Sequence, residues 1–181
     1  MYSYKPKESL ENLIQVFQES YEFSRGKFDE NLHNLAKQIV DRLTPEILAS
    51  NDNEFHTFGY RLTKVFRDVP DKIALLKIAK TYEVLGDYYL AKVNYLYSRD
   101  RGSIIRFISR SIRDPRMIDE GISALRKIEK PLFGLVESAF YNAFRLGRYD
   151  LAMDIAYLTG DKWKEKEVLD ALGLTQNSTV L

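Results

Sequence analysis

The sequence predicts an all-α fold of antiparallel helix hairpins, and three observations carry that prediction. Apolar residues recur at spacings of three and four through nearly every segment between chain breakers. No stretch alternates with period two for long enough to form a strand. Glycine, proline and Asp/Asn breakers fall at short intervals, so successive helices are joined by tight turns.

Each element follows from its own signals. A first helix is expected over about Glu8 to Ser24, with Leu10, Leu13, Ile14, Phe17 and Tyr21 on one stripe and a stop at Arg25-Gly26. A second runs from Phe28 to about Leu43 on Leu32, Leu35, Ala36, Ile39 and Leu43. Thr44-Pro45 ends it and starts a short helix. After Asn51-Asp52-Asn53, Phe55, Phe58, Leu62, Val65 and Phe66 define a helix from Glu54 to Arg67, and Asp68-Val69-Pro70-Asp71 resets the chain. Asp71 to Leu85 and Tyr88 to Ser98 then form a hairpin around Gly86-Asp87. Gly102-Ser103 starts a helix that ends at Asp114-Pro115, and its partner spans Arg116 to about Lys130. Leu132 to Leu146 and Arg148 to Thr159 make another hairpin around Gly147. Gly160-Asp161 introduces a last helix that ends at Leu172-Gly173. The breakers within hairpins, Gly86, Asp114 and Gly147, lie roughly thirty residues apart, the period of a stacked helical array.

Composition narrows the function classes. With 181 residues, 45% hydrophobic and 29% charged, the chain fits one ordinary domain or one compact repeat array that folds in water. Lys plus Arg number 27 against 26 for Asp plus Glu, so the net charge of +1 excludes a uniformly basic nucleic-acid coater. The absence of cysteine excludes a disulfide scaffold, a thiolate zinc site and a cysteine nucleophile. Residues Met1 to Lys7 lead into an amphipathic segment without an apolar run of signal-peptide or membrane-spanning length. The expected setting is therefore cytoplasmic, without membrane insertion.

In Ile78 to Tyr95, the order of large and small residues resembles a tetratricopeptide repeat. Ala79 and Tyr82 stand on the first helix, Gly86-Asp87-Tyr88 at the turn, and Ala91 and Tyr95 on the second helix. The alanines let the paired helices approach, and the tyrosines fill the space above and below. A second copy, Leu146-Gly147-Arg148-Tyr149-Asp150-Leu151-Ala152, repeats the turn. It carries Phe140 where the family has a small residue and Ala143 where it has an aromatic. The good repeat covers about residues 72–105 and the degraded one about 133–165. The resemblance implies a tetratricopeptide-like α-solenoid, a right-handed superhelix. It would be a single domain over 1–173, with divergent N-terminal helices in 1–70, hairpins and a capping helix in 71–173, and a flexible tail in 174–181.

Catalytic constellations are absent. His33 is placed off the apolar stripe, facing solvent, and has no second ligand at metal-binding spacing. His56 and Glu54 are two apart on a helix and do not face each other. There is no phosphate-cradling Gly-Lys-Ser/Thr loop, no Gly-x-Ser-x-Gly elbow and no His-Glu-x-x-His helix. The expectation is a non-enzyme with no catalytic residue, cofactor or metal site.

Charge is concentrated in the middle of the chain. Residues 61–130 carry 16 Lys and Arg against 9 Asp and Glu, a local excess of +7 between two acidic ends. On Ser103 to Arg113, Ile104, Ile105, Phe107, Ile108 and Ile112 share one side, with Arg106, Arg110 and Arg113 opposite. Such a row of guanidinium forks suits the carboxylates of an acidic peptide or the phosphates of a nucleic acid. The plainer alternative is a solvated face whose arginines pair with Asp114 and Asp119. In tetratricopeptide arrays the first helix of each pair lines the concave groove. The resemblance therefore implies a groove holding Lys77, Lys80, Arg106, Arg110 and Arg145, with Arg113 on the same row and Tyr141 as apolar anchor.

Tyr82, Tyr88 and Tyr95 occupy packing positions, whereas Tyr89 and Tyr97 are open to either a core or a stacking role. The expected function is a protein-interaction adaptor whose basic groove binds an acidic partner segment. The alternative is a nucleic-acid-binding helical domain that uses the same arginines on phosphates. A third possibility is a structural subunit that associates through an apolar end at Leu169, Leu172 and Leu174.

Overall fold

The computed structural model describes residues 9–25, 27, 29–44 and 54–174, with 54–57 described by backbone alone. Among these residues there are ten α-helices and no strand: α1 (Leu10–Phe23), α2 (Glu30–Arg42), α3 (Glu54–Asp68), α4 (Lys72–Leu85), α5 (Tyr88–Ser98), α6 (Arg101–Ser111), α7 (Ile118–Leu125), α8 (Phe133–Arg145), α9 (Tyr149–Thr159) and α10 (Lys162–Ala171). The expected short helix after Thr44-Pro45, the His56 side chain and the tail beyond Leu174 lie outside the described residues. The chain divides into two compact units, Met1–Asp100 and Arg101–Leu181.

Helix ends are set by local chemistry. The carboxylates of Asp29, Asp71, Asp87 and Asp161 accept from the opening backbone N–H groups of α2, α4, α5 and α10. At the end of α4, Gly86 takes φ +81°, and the Asp87 N–H reaches back to the Tyr82 carbonyl at 3.0 Å. Gly147 (φ +70°) repeats the arrangement after α8, with the Arg148 N–H on the Ala143 carbonyl at 2.9 Å. Both positions need the left-handed backbone that glycine adopts without a Cβ penalty.

In the first unit, α1 pairs with α2, α2 packs on α3 and α4, and α3 packs on both helices of the α4–α5 hairpin. Leu13, Phe17, Leu32, Ala36, Ile39, Leu62 and Phe66 are buried between the first three helices. Ala79 and Ala91 are wholly covered where α4 and α5 meet, and Tyr82 and Tyr95 are buried beside them. The helix approach is therefore set by small residues and filled by aromatic ones. The Tyr95 hydroxyl donates to Glu83 Oε2 at 2.8 Å, which ties α5 to α4. Burial pushes the Tyr82 phenol up from its ordinary pKa, so it stays protonated. Thr63 and Asn94, both buried, form a polar link between α3 and α5: Asn94 Nδ2 donates to Thr63 Oγ1 at 2.9 Å and to the Leu90 carbonyl at 2.8 Å, and Thr63 Oγ1 donates to the Gly59 carbonyl at 2.8 Å.

In the second unit, α6 pairs with α7, α8 with α9, and α9 with α10, while α7 packs on both α8 and α9. Gly121 permits the close α6–α7 contact, because a Cβ there would meet Ser111 Cβ at 2.7 Å. Arg148 spans α7 and α9, donating to both oxygens of Asp119 at 2.8 and 2.7 Å and to Asp150 at 3.2 and 3.1 Å. Arg126 and Asp154 pair across the same helices.

Three expectations need correction. The partner of α6 does not span Arg116 to Lys130 but only Ile118–Leu125. At its start, Asp114 accepts from the Arg116 N–H at 3.0 Å in a turn. At its end, the Lys127 and Ile128 N–H groups bond to carbonyls only three residues back. Helix α6 begins at Arg101, before Gly102-Ser103, and Ser103 is buried rather than capping. His33 is not solvent-facing: it is half-buried, and its ring meets Phe66 edge-on with centroids 5.3 Å apart.

Candidate functional site

The features able to hold a partner are most developed in the second unit, on α6, α8 and α10. Helix α6 is two-faced because Ile104, Phe107, Ile108 and Ile112 are drawn into the core, with Ile105 half-buried beside them. Arg106 and Arg110 are exposed on the other side, and Arg113, two residues past the end of α6, is exposed in the turn that follows. Arg106 donates to Ser103 Oγ at 3.0 Å, which braces the guanidinium along its own helix.

Two acids that follow these arginines in sequence, Asp114 and Asp119, pair with other arginines. Asp114 accepts from Arg116 Nε and Nη2 at 3.1 and 2.8 Å, and this pairing pulls its pKa down to about 2. Asp119 is held by Arg148, which lowers its pKa as well.

Helices α8 and α10 are fastened together by Lys164, which is only 7% exposed. Its ammonium lies 2.6 Å from Glu137 Oε1 and 2.7 Å from Asp161 Oδ2, with the Phe140 ring centroid at 5.5 Å. Burial alone would lower the Lys164 pKa, but the hydrogen bonds to Asp161 and Glu137 together outweigh it and hold the pKa above the usual lysine value. On the same two helices, Tyr141, Trp163, Lys166, Glu167 and Asp170 line an open groove of about 220 Å³. Tyr141 is 52% exposed and Trp163 73%, and Tyr141 is braced edge-on against Phe140 at 5.2 Å.

The seven residues expected to bind a partner are distributed as follows. Arg106 and Arg110 share one exposed face of α6, whereas Arg113, expected on the same row, lies in the turn beyond the end of the helix. Tyr141 and Arg145 are exposed one turn apart on α8, and Arg145 donates to Asn142 Oδ1 at 3.2 Å. Lys77 and Lys80 belong to the first unit. Lys80 is exposed, but Lys77 is half-buried and donates to the Asp41 carbonyl at 2.7 Å near the end of α2. Glu137, one turn before Tyr141 on α8, is the partner of Lys164. Sequence reasoning missed Trp163, Lys166, Glu167 and Asp170. Their spacing of three, one and three residues places them on one side of α10, away from buried Lys164 and Val168, and that polar helix carries the chain's one tryptophan.

Among the described residues, no group of three His, Asp or Glu side chains is arranged to hold a metal ion. No described helix is long and apolar enough to cross a membrane. No protein-family model, curated protein or solved structure matches this chain.

Proposed function

We propose that this chain is a non-catalytic interaction scaffold, a tetratricopeptide-like α-solenoid of the cytoplasm that binds an acidic segment of a partner protein. The exposed arginine row on α6 carries the reading. Arg106 and Arg110 lie along one exposed face of α6, opposite a buried apolar face, and Arg113 is exposed in the turn that follows. The small–large packing of Ala79, Tyr82, Ala91 and Tyr95 and the recurring glycine turn after α4 and α8 support the solenoid. In this reading Tyr141 supplies apolar contact and Arg145 a further basic group on α8, and no cofactor takes part.

The test is binding of a labelled oligoglutamate peptide and of a single-stranded oligonucleotide of matched charge, at low and physiological salt. Arg106→Glu with Arg110→Glu is expected to weaken peptide binding at least about tenfold, with the thermal midpoint unchanged. Unchanged peptide affinity in that variant would remove the site. Tighter oligonucleotide binding with a steep salt slope would replace this reading with a nucleic-acid one.

A further inference from the structure

The groove on α8 and α10 is walled by two exposed aromatic rings, Tyr141 and Trp163. Its polar rim has no charge preference of its own: Lys166 stands against Glu167, and Asp170 is already engaged within the protein. A charged side chain gains little here to offset the loss of its hydration. An uncharged ring instead packs offset or edge-on against both walls and takes apolar area of all three rings out of water.

Size points the same way. The groove measures about 220 Å³, and a cavity of about 150 Å³ is enough to hold a benzene ring, so one aromatic side chain fits. Its walls are set before a ligand arrives, because Glu137 of α8 holds Lys164 of α10 at 2.6 Å and Tyr141 is braced edge-on against Phe140. The neighbouring chemistry indicates what flanks that ring. Arg145 follows Tyr141 by one turn on α8 and is exposed, with Nη2 on Asn142 Oδ1 at 3.2 Å. The other N–H donors of its guanidinium suit a carboxylate carried by the same peptide.

We infer that the α8–α10 groove receives an aromatic side chain of a bound peptide, packed against Tyr141 and Trp163, with an acidic residue beside it on Arg145. The aromatic contact stands independently of the α6 arginines, whereas the flanking carboxylate deepens the acidic-segment reading of the function and rests on it.

Trp163 is the chain's one tryptophan, so its emission reports this groove directly in the full-length protein. The experiment titrates the protein with a serine peptide carrying one central phenylalanine, a glutamate peptide carrying the same phenylalanine, and the alanine counterpart of each. Both phenylalanine peptides are expected to shift the emission to the blue and to bind at least about fivefold tighter than their alanine counterparts. Tyr141→Ser should remove that advantage with the helical circular dichroism retained. Arg145→Gln should weaken the glutamate–phenylalanine peptide about two- to fivefold and leave the serine one unchanged. Arg106→Glu with Arg110→Glu should weaken both glutamate peptides alike and spare the serine pair, so absence of that effect counts against the α6 site alone. The inference is overturned if phenylalanine binds no tighter than alanine in the serine pair, if the advantage survives Tyr141→Ser, or if Arg145→Gln leaves the glutamate–phenylalanine affinity as in the parent.

Discussion

The Tyr82 hydroxyl rests directly on Gly59: a Cβ built on that glycine would lie 1.0 Å from the phenolic oxygen and 2.3 Å from Cζ. The absence of a side chain on α3 is thus what lets the tyrosine of α4 lie fully buried. Gly59→Ala is expected to destabilise the protein by about 1–3 kcal/mol through overpacking. In a Tyr82→Leu background, where the phenol is gone, the same change should cost much less. Urea midpoints of the four proteins measure the coupling, and equal costs in both backgrounds would contradict the contact.

The buried link between Thr63 and Asn94 makes an asymmetric prediction. Thr63→Val keeps the shape but takes the hydroxyl from Asn94 Nδ2 and from the Gly59 carbonyl, so about 1–3 kcal/mol should be lost. Adding Asn94→Leu removes the stranded amide, and the double variant should recover part of that loss. Equilibrium unfolding decides whether the second change helps or harms.

Asp119 and Asp150 both titrate below the ordinary value of 3.8 because Arg148 hydrogen-bonds their charged forms. Their contribution to stability is therefore complete above about pH 4 and declines as pH falls through the lowered folded-state values. Asp119 is 55% exposed, so solvent screens the pair and the effect stays below about 1 kcal/mol. Arg148→Leu should lower stability slightly at neutral pH and flatten its fall in acid. A pH series of denaturant midpoints with the same slope as the parent would contradict this.

Lys77 and Lys80 should separate by phenotype. Lys77→Met removes the ammonium from the Asp41 carbonyl and is expected to cost about 0.5–1.5 kcal/mol of stability. Lys80→Met, at an exposed position, should leave the melting temperature within about a degree. Melting curves on both variants check this.

Much of the helical framework is legible in the sequence because it rests on local signals. Asp87 before α5 and Gly86 after α4 mark a turn that the backbone follows, and the apolar stripe of α6 separates Phe107 and Ile108 from Arg106 and Arg110 as the spacing implies. What spacing cannot convey is which polar residues tertiary contact will bury. Lys164 looks like one of several lysines on a charged helix, and only the approach of Glu137 from α8 makes it a core residue. Lys77 matches a groove position in the repeat pattern, yet the end of α2 lies within its reach. His33 faces Phe66 because α3 covers a wider sector of α2 than the stripe implied. The early end of α7 reflects a switch in hydrogen bonding after Leu125 that no residue type there announces.

Buried Lys164, in the first turn of α10, also gives the helix a chemical signature. Lys162 and Lys166 stand in solvent on either side of Lys164, so an amine-reactive reagent or trypsin meets an alternating pattern of open, shielded and open sites within five residues. As long as α10 stays docked, mass spectrometry should find the outer two labelled and the middle one silent. Labelling of Lys164 at a denaturant concentration below the global transition would mean that the final helix peels away first, and the protein would have recorded its own fraying.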